Sequence, residues 1–242
     1  MSQRLRRFLQ ANKLILHSCA VALALLGSAA AQNVQPTQSQ QGDLYNFEHY
    51  VHVVPRTPAE YHPITIDGRL EWFVRSTVGP KGLVGGVFSA AIGTAADHPP
   101  EYGPHWDGFA QRYGMRLTGV VTSNAMEASL GAIWGEDPRY FHTVHHPFGD
   151  RVKNVADLTF RAYRTDGERH LAYARWMAII GSNFLSNTWR VPSASDWQHA
   201  LYRSGEGFGA RAISNTFSEF FPEVWRKVRH KPDPFPAYVS NP

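Results

Sequence analysis

Between Gly135 and Arg151 the chain reads "GEDPRYFHTVHHPFGDR", which sets carboxylates, two arginines and three histidines in one short stretch. Two kinds of chemistry suit such residues. Glu136 and Asp137, flanked by Arg139 and Tyr140, could work as an acid and a base if neighbours held their proton affinities apart. His142, His145 and His146 could hold a transition metal, because imidazole is a favoured ligand and three ligands leave a fourth position for a reactive water. Asp150 or His170 could complete that set if folding brought them near. No HExxH motif is present, and no GxSxG elbow or serine–histidine–aspartate pattern stands out.

Each motif also has a structural explanation, and that explanation is favoured. Gly135 fits the left-handed position just past a helix end, and Asp137 precedes a proline that steers it out of the helical region. Arg139 is then close enough to pair with Glu136 or Asp137. "GEDPRYF" therefore reads as a helix stop, and "HTVHHPF" as the loop after it. Asn124, Asn183 and Asn187 fall on apolar helix faces, with Arg116 and Glu127 in the middle of the longest predicted helix. These five could line a polar cavity. A buried amide must find partners, so hydrogen bonds across helices are the expected role for the asparagines. "GEGFG" at Gly205 to Gly209 resembles a phosphate-cradling loop but lacks a preceding strand, and it reads as a flexible entry to the last helix.

The elements that must position these residues are helical. The pattern predicts Ile66 to Val78, a break at Gly79 and Pro80, then Lys81 to Ala96, apolar almost all round. Further helices are predicted from Trp106 to Trp134, over a shorter stretch from Val152 to Tyr163, and from Glu168 to Trp189. A last helix is expected after Gly209. There Ile213, Phe217, Phe220, Val224 and Val228 form an apolar face opposite Arg211, Asn215, Glu219 and Arg226, and Pro222 should kink or restart it. No period-2 strand is evident. Small residues recur at four-residue spacing, as Gly82/Gly86, Ala125/Ser129, Ser182/Ser186 and Gly205/Gly209, which lets helix backbones approach closely.

Residues 1–31 have the three-part grammar of a cleaved secretory signal: Arg4, Arg6, Arg7 and Lys13, an apolar run from Leu14 to Gly27, then small residues to Ala31. Their removal lowers Lys+Arg from 24 to 20, level with the 20 Asp+Glu. A neutral mature chain gives nucleic acid no electrostatic footprint, so no nucleic-acid partner is expected. The one cysteine, Cys19, leaves with the leader, so an exported chain must rely on its core or a membrane instead of disulfides. Residues 32–42 read as a disordered linker, 43–65 as an irregular segment rich in aromatics and proline, 66–229 as the helical domain and 230–242 as a proline-rich tail.

In order along the chain stand "PEYGPHWDGFAQRYG", "EDPRYF", "RTDG", "SNFLSNTWRVP" and "NTFSEFFPEV". This ordered set resembles an uncharacterised family of exported, helix-rich bacterial proteins of the acidobacterial type. The resemblance implies export and a helical fold, and it brings no activity, cofactor or site residue with it.

The expectation is an all-α compact bundle of about four to six helices, an estimate from the periodic segments, following a signal peptide and a linker. The function expected is that of a non-enzymatic envelope protein, exported to the periplasm of a Gram-negative cell, which binds or scaffolds an envelope protein or a membrane surface. Two other readings stand beside it. One is an integral membrane bundle, and the other is a metal-dependent hydrolase using His142, His145 and His146 with Glu136 or Asp137 as base. No cofactor is expected under the first reading; a transition metal belongs to the last.

Overall fold

The computed structural model describes residues 52–143 and 146–228. The leader, the linker, the first part of the aromatic segment, the tail and His145 lie outside the described residues. Six α-helices dominate: α1 (Ile66–Val78), α2 (Pro80–Ala95), α3 (Trp106–Trp134), α4 (Phe148–Phe160), α5 (Tyr173–Leu185) and α6 (Trp197–Val228). The fold is all-α. Helix α3 is the central member, with α1, α2 and α5 packed on it, while α4 and α5 pack on α6.

Local signals explain most boundaries. The Thr65 side chain caps α1 by accepting from Gly68 N at 3.1 Å. Gly79 ends α1 in an extended conformation and Pro80 opens α2, where its missing N–H costs nothing. Helix α3 stops at Gly135, in the left-handed region at φ 70°. The N–H groups of Gly135 and Glu136 both return to the carbonyl of Gly131.

Small residues set the closest approaches. Gly131 of α3 faces Ala174 of α5, and a Cβ on Gly86 would come within 2.8 Å of the Tyr113 ring. Ser182 and Ser186 are buried as well. Gly205 and Gly209 have open space around them, so that pair brings no helix closer. An aromatic cluster of Tyr61, Phe141, Leu158 and Tyr163 forms a core beside the end of α3. Tyr61 stacks on Tyr163 at 5.4 Å, and Phe141 meets Tyr163 edge-on at 4.7 Å.

Several expectations are corrected. Short strands exist: β1 (His52–Val53) runs parallel to β2 (Phe141–His142), and β3 (Arg161–Tyr163) pairs antiparallel with β4 (Arg169–Leu171). The hairpin turns at Gly167, φ 78°. It therefore takes the residues expected at the end of α4 and the start of α5. Two or three residues are too few for a period-2 pattern to show. Helix α6 begins at Trp197, so "GEGFG" is helix interior and not a loop. The helix also runs through Pro222.

The largest correction concerns α6, which turns its polar face inward. Asn215 and Glu219 are 4% and 3% exposed, whereas Ile213 and Val224 are 72% and 55% exposed. Amphipathicity gave the two faces, and the polar one is buried because its side chains find charged partners inside the molecule.

Candidate functional site

The motif that opened the sequence reading lies where most of the elements meet, and each residue ties to a different one. The Glu136 carboxylate is buried and accepts from the free N–H groups of Tyr173 and Ala174 at the start of α5, at 3.1 and 2.8 Å. It caps a helix from a distance, satisfying two of that helix's unpaired donors. Arg164 Nη2 adds a third donor at 3.1 Å. Asp137, 1% exposed, accepts from Arg139 through N (2.9 Å), Nε (3.0 Å) and Nη2 (2.6 Å). Tyr61 Oη donates to it at 2.9 Å. Burial, with Asp137 beside it, pushes the Tyr61 hydroxyl above its ordinary pKa, so it stays a donor.

Arg211 Nη2 reaches the Pro138 carbonyl at 3.0 Å. Tyr140 Oη donates to Glu219 Oε2 at 2.9 Å and accepts from Asn154 at 3.2 Å. Glu219 also takes the Thr143 N–H at 3.1 Å and Arg151 Nε at 3.1 Å. A fourth buried carboxylate, Glu127, is held by Arg175 Nε at 2.9 Å and Arg211 Nη2 at 3.0 Å. Arg175 in turn donates to the carbonyls of Leu158 and Arg161 at the end of α4. Four carboxylates thus have their lone pairs committed to arginines, hydroxyls and backbone donors. Such an arrangement locks elements together, and it leaves Glu136, Asp137, Glu127 and Glu219 no open position for taking a proton from a substrate.

Both ring nitrogens of His142 face carbonyl oxygens, His52 O at 3.1 Å from Nδ1 and Ser218 O at 3.0 Å from Nε2. Pro222 explains the second contact. It has no N–H to give the carbonyl four residues back, so Ser218 O is left for the imidazole. A nitrogen aimed at a carbonyl has no lone pair directed at a metal. Among the described residues no group of three or more His, Cys, Asp or Glu is placed to hold a metal ion.

The polar-cavity residues are dispersed. Asn124 Nδ2 donates to Thr77 Oγ1 at 3.1 Å, the expected bond across helices. Asn183 Nδ2 returns to Ile179 O in its own helix. Asn187 Nδ2 bonds Asp196 O, and its Oδ1 accepts from Arg203 Nη2. Arg116 lies along Gly86 in a shallow cleft between α2 and α3, also lined by Thr77, Tyr113 and Val120. Burial lowers its pKa, and no carboxylate pairs with it among the described residues.

Sequence reasoning missed Arg175, Arg211 and Tyr61 as partners of these carboxylates. Arg175 carried a usable signal: it lies among Ala174, Ala178 and Ser182, a small-residue face that admits a long side chain only if that chain is buried and paired. No family model, curated protein or solved structure matches the chain.

Proposed function

We propose that this chain is an exported, non-enzymatic protein of the cell envelope that binds peripherally to a membrane surface through the outward faces of α1, α2 and α6. The observation that carries this reading is the inverted distribution of side chains. Leu70, Val74 and Val78 of α1, Val84, Val87, Phe88 and Ile92 of α2, and Ile213, Phe217 and Val224 of α6 are all exposed. The three helices adjoin. Lys81 Nζ bonds Ser218 Oγ at 2.7 Å and sits over the Phe217 ring, and Arg211 stacks over Trp72. Large apolar side chains exposed on neighbouring helices indicate an interaction face.

A lipid surface suits this face. Lys81 is the one charged residue of α2, so the helix can lie along the boundary between headgroups and acyl chains, with Lys81 in its first turn. Burying the exposed half of one such side chain contributes about 1 kcal/mol, and five together give several. The integral alternative is less favoured, since no helix among the described residues is long and apolar enough to cross a membrane. The hydrolase alternative is weakened by the occupied nitrogens of His142 and the committed carboxylates.

Flotation of the full chain with phospholipid vesicles tests this reading. Wild type should float, and an F88D/I92D variant should lose at least about 90% of the bound fraction, a penalty of 1.4 kcal/mol or more. Protein on host membranes should come off in an alkaline carbonate wash. A wild type that stays with the soluble fraction in both assays ends the proposal, and resistance to the wash transfers support to the integral bundle.

A further inference from the structure

The buried and half-buried arginines fall into two groups. Arg112, Arg139, Arg151, Arg164, Arg169, Arg175 and Arg211 each have a carboxylate oxygen within 3.2 Å. Among the described residues Arg69, Arg116, Arg190 and Arg203 have none within salt-bridge distance, and the last two lie together where the segment after α5 meets the start of α6, joined through Ser186 Oγ and Asn183 O. Arg203 is spent on the scaffold: Nη1 donates to Ala194 O at 2.7 Å, and Nη2 donates to Asn183 O at 3.2 Å and to Asn187 Oδ1. Arg190 makes one side-chain bond, from Nε to Ser186 Oγ at 3.0 Å, so Nη1 and Nη2 meet no acceptor among the described residues. Neither Nη atom is sealed from solvent.

Two further donors at the same place are unmet. Nε of Arg203 and Nε1 of Trp189, the chain neighbour of Arg190, are buried without a partner. The nearby acids do not fill the gap. Asp196 is taken by His199 N and Nδ1, at 2.8 and 2.7 Å, and Glu206 influences both arginines without pairing with either. Burial and the neighbouring Arg190 push Arg203 down to about 10, the mark of a desolvated cation beside another cation. A guanidinium with that pKa is still charged at neutral pH. Two such charges joined through Ser186 and Asn183, with no carboxylate paired to either among the described residues, are held together by the fold at an energetic cost.

We propose that Arg190, backed by Arg203, is the cationic half of a binding site for a phosphate group. A dianion would offset both charges. The free fork of Arg190 matches two phosphate oxygens, which is how arginine holds that group. The phosphate could be a free monoester or inorganic ion, or the headgroup of a phospholipid. The inference stands apart from the apolar face, because free phosphate needs no membrane.

The test is calorimetric titration of the full chain with inorganic phosphate at low ionic strength, beside flotation with phosphatidylglycerol and with phosphatidylcholine vesicles. Arg190→Gln is the probe, and Arg116→Gln, another unpaired arginine, is the control. Wild type should bind phosphate, Arg190→Gln should bind it about tenfold or more weakly, the loss of one charge-assisted fork, and Arg116→Gln should match wild type. Without phosphate, the Arg190→Gln thermal midpoint should stay level or rise, since one of two like charges is gone; a structural arginine would lower it. Arg190-dependent preference for phosphatidylglycerol without binding of free phosphate assigns the site to a lipid headgroup. Phosphate binding that survives F88D/I92D separates this site from the apolar face. The proposal fails if wild type takes up neither phosphate nor phosphatidylglycerol, or if Arg190→Gln binds both as wild type does.

Discussion

Glu127 is the residue on which the interior depends most directly. It sits in the middle of α3, nearly sealed from solvent, between Arg175 of α5 and Arg211 of α6. Burial and the nearby Arg175 push Arg211 down to about 10, so Glu127 is what keeps that cation tolerable. Removing one partner of a buried ion pair is more damaging than never having built it, because the other charge stays buried and unpaired. Glu127→Gln should therefore destabilise by about 3–5 kcal/mol, read from the urea midpoint at constant slope. A loss under about 1 kcal/mol would mean the two arginines relax into water. The sequence put Glu127 among residues that could line a polar cavity, but its partners lie 48 and 84 positions away, and no local pattern reaches that far.

At the scale of elements, β1 and β2 are joined by a two-residue ladder whose paired strands carry His52 and His142. Burial, with the Arg139 guanidinium adding to it, pushes His52 down to about 4. Burial likewise holds His142 below 6.5, although the carbonyls of His52 and Ser218 and the Glu219 carboxylate oppose that shift, while Lys81 reinforces it. A histidine whose folded pKa is depressed binds more protons when unfolded. Its contribution is then complete above pH 6.5 and declines as pH falls toward the folded value. Stability should fall between pH 6.5 and 5, above the ordinary carboxylate range, by up to about 1.4 kcal/mol per pH unit for each histidine. Urea midpoints across that window should show this slope, and His52→Gln should flatten it. A midpoint that rises on acidification would mean the two carbonyls win and His142 is held as the cation.

Across the whole molecule, charged partners such as Glu127 and Glu219 point inward while large apolar side chains are exposed on all six helices, those of α1, α2 and α6 forming the proposed binding surface. If that outer surface serves binding and not folding, I213D/V224D should leave the urea midpoint within about 0.5 kcal/mol of wild type while lowering vesicle flotation as F88D/I92D does. A stability loss of several kcal/mol would instead place both residues in a folding core.

Near-neighbour physics in the sequence determined the helical class, the break at Gly79, the stop at Gly135 and the two faces of α6. Each depends on residues within one or two turns of one another: a left-handed glycine, a proline without an N–H, a period of 3.6. Tertiary structure decided which face of α6 is buried, that Glu136 caps α5, and that Arg190 has no paired carboxylate among the described residues. Burial of a charged face is favourable or ruinous according to whether a partner arrives from far along the chain. Periodicity records that a helix has two faces, and only the positions of distant arginines and carboxylates decide which one turns inward.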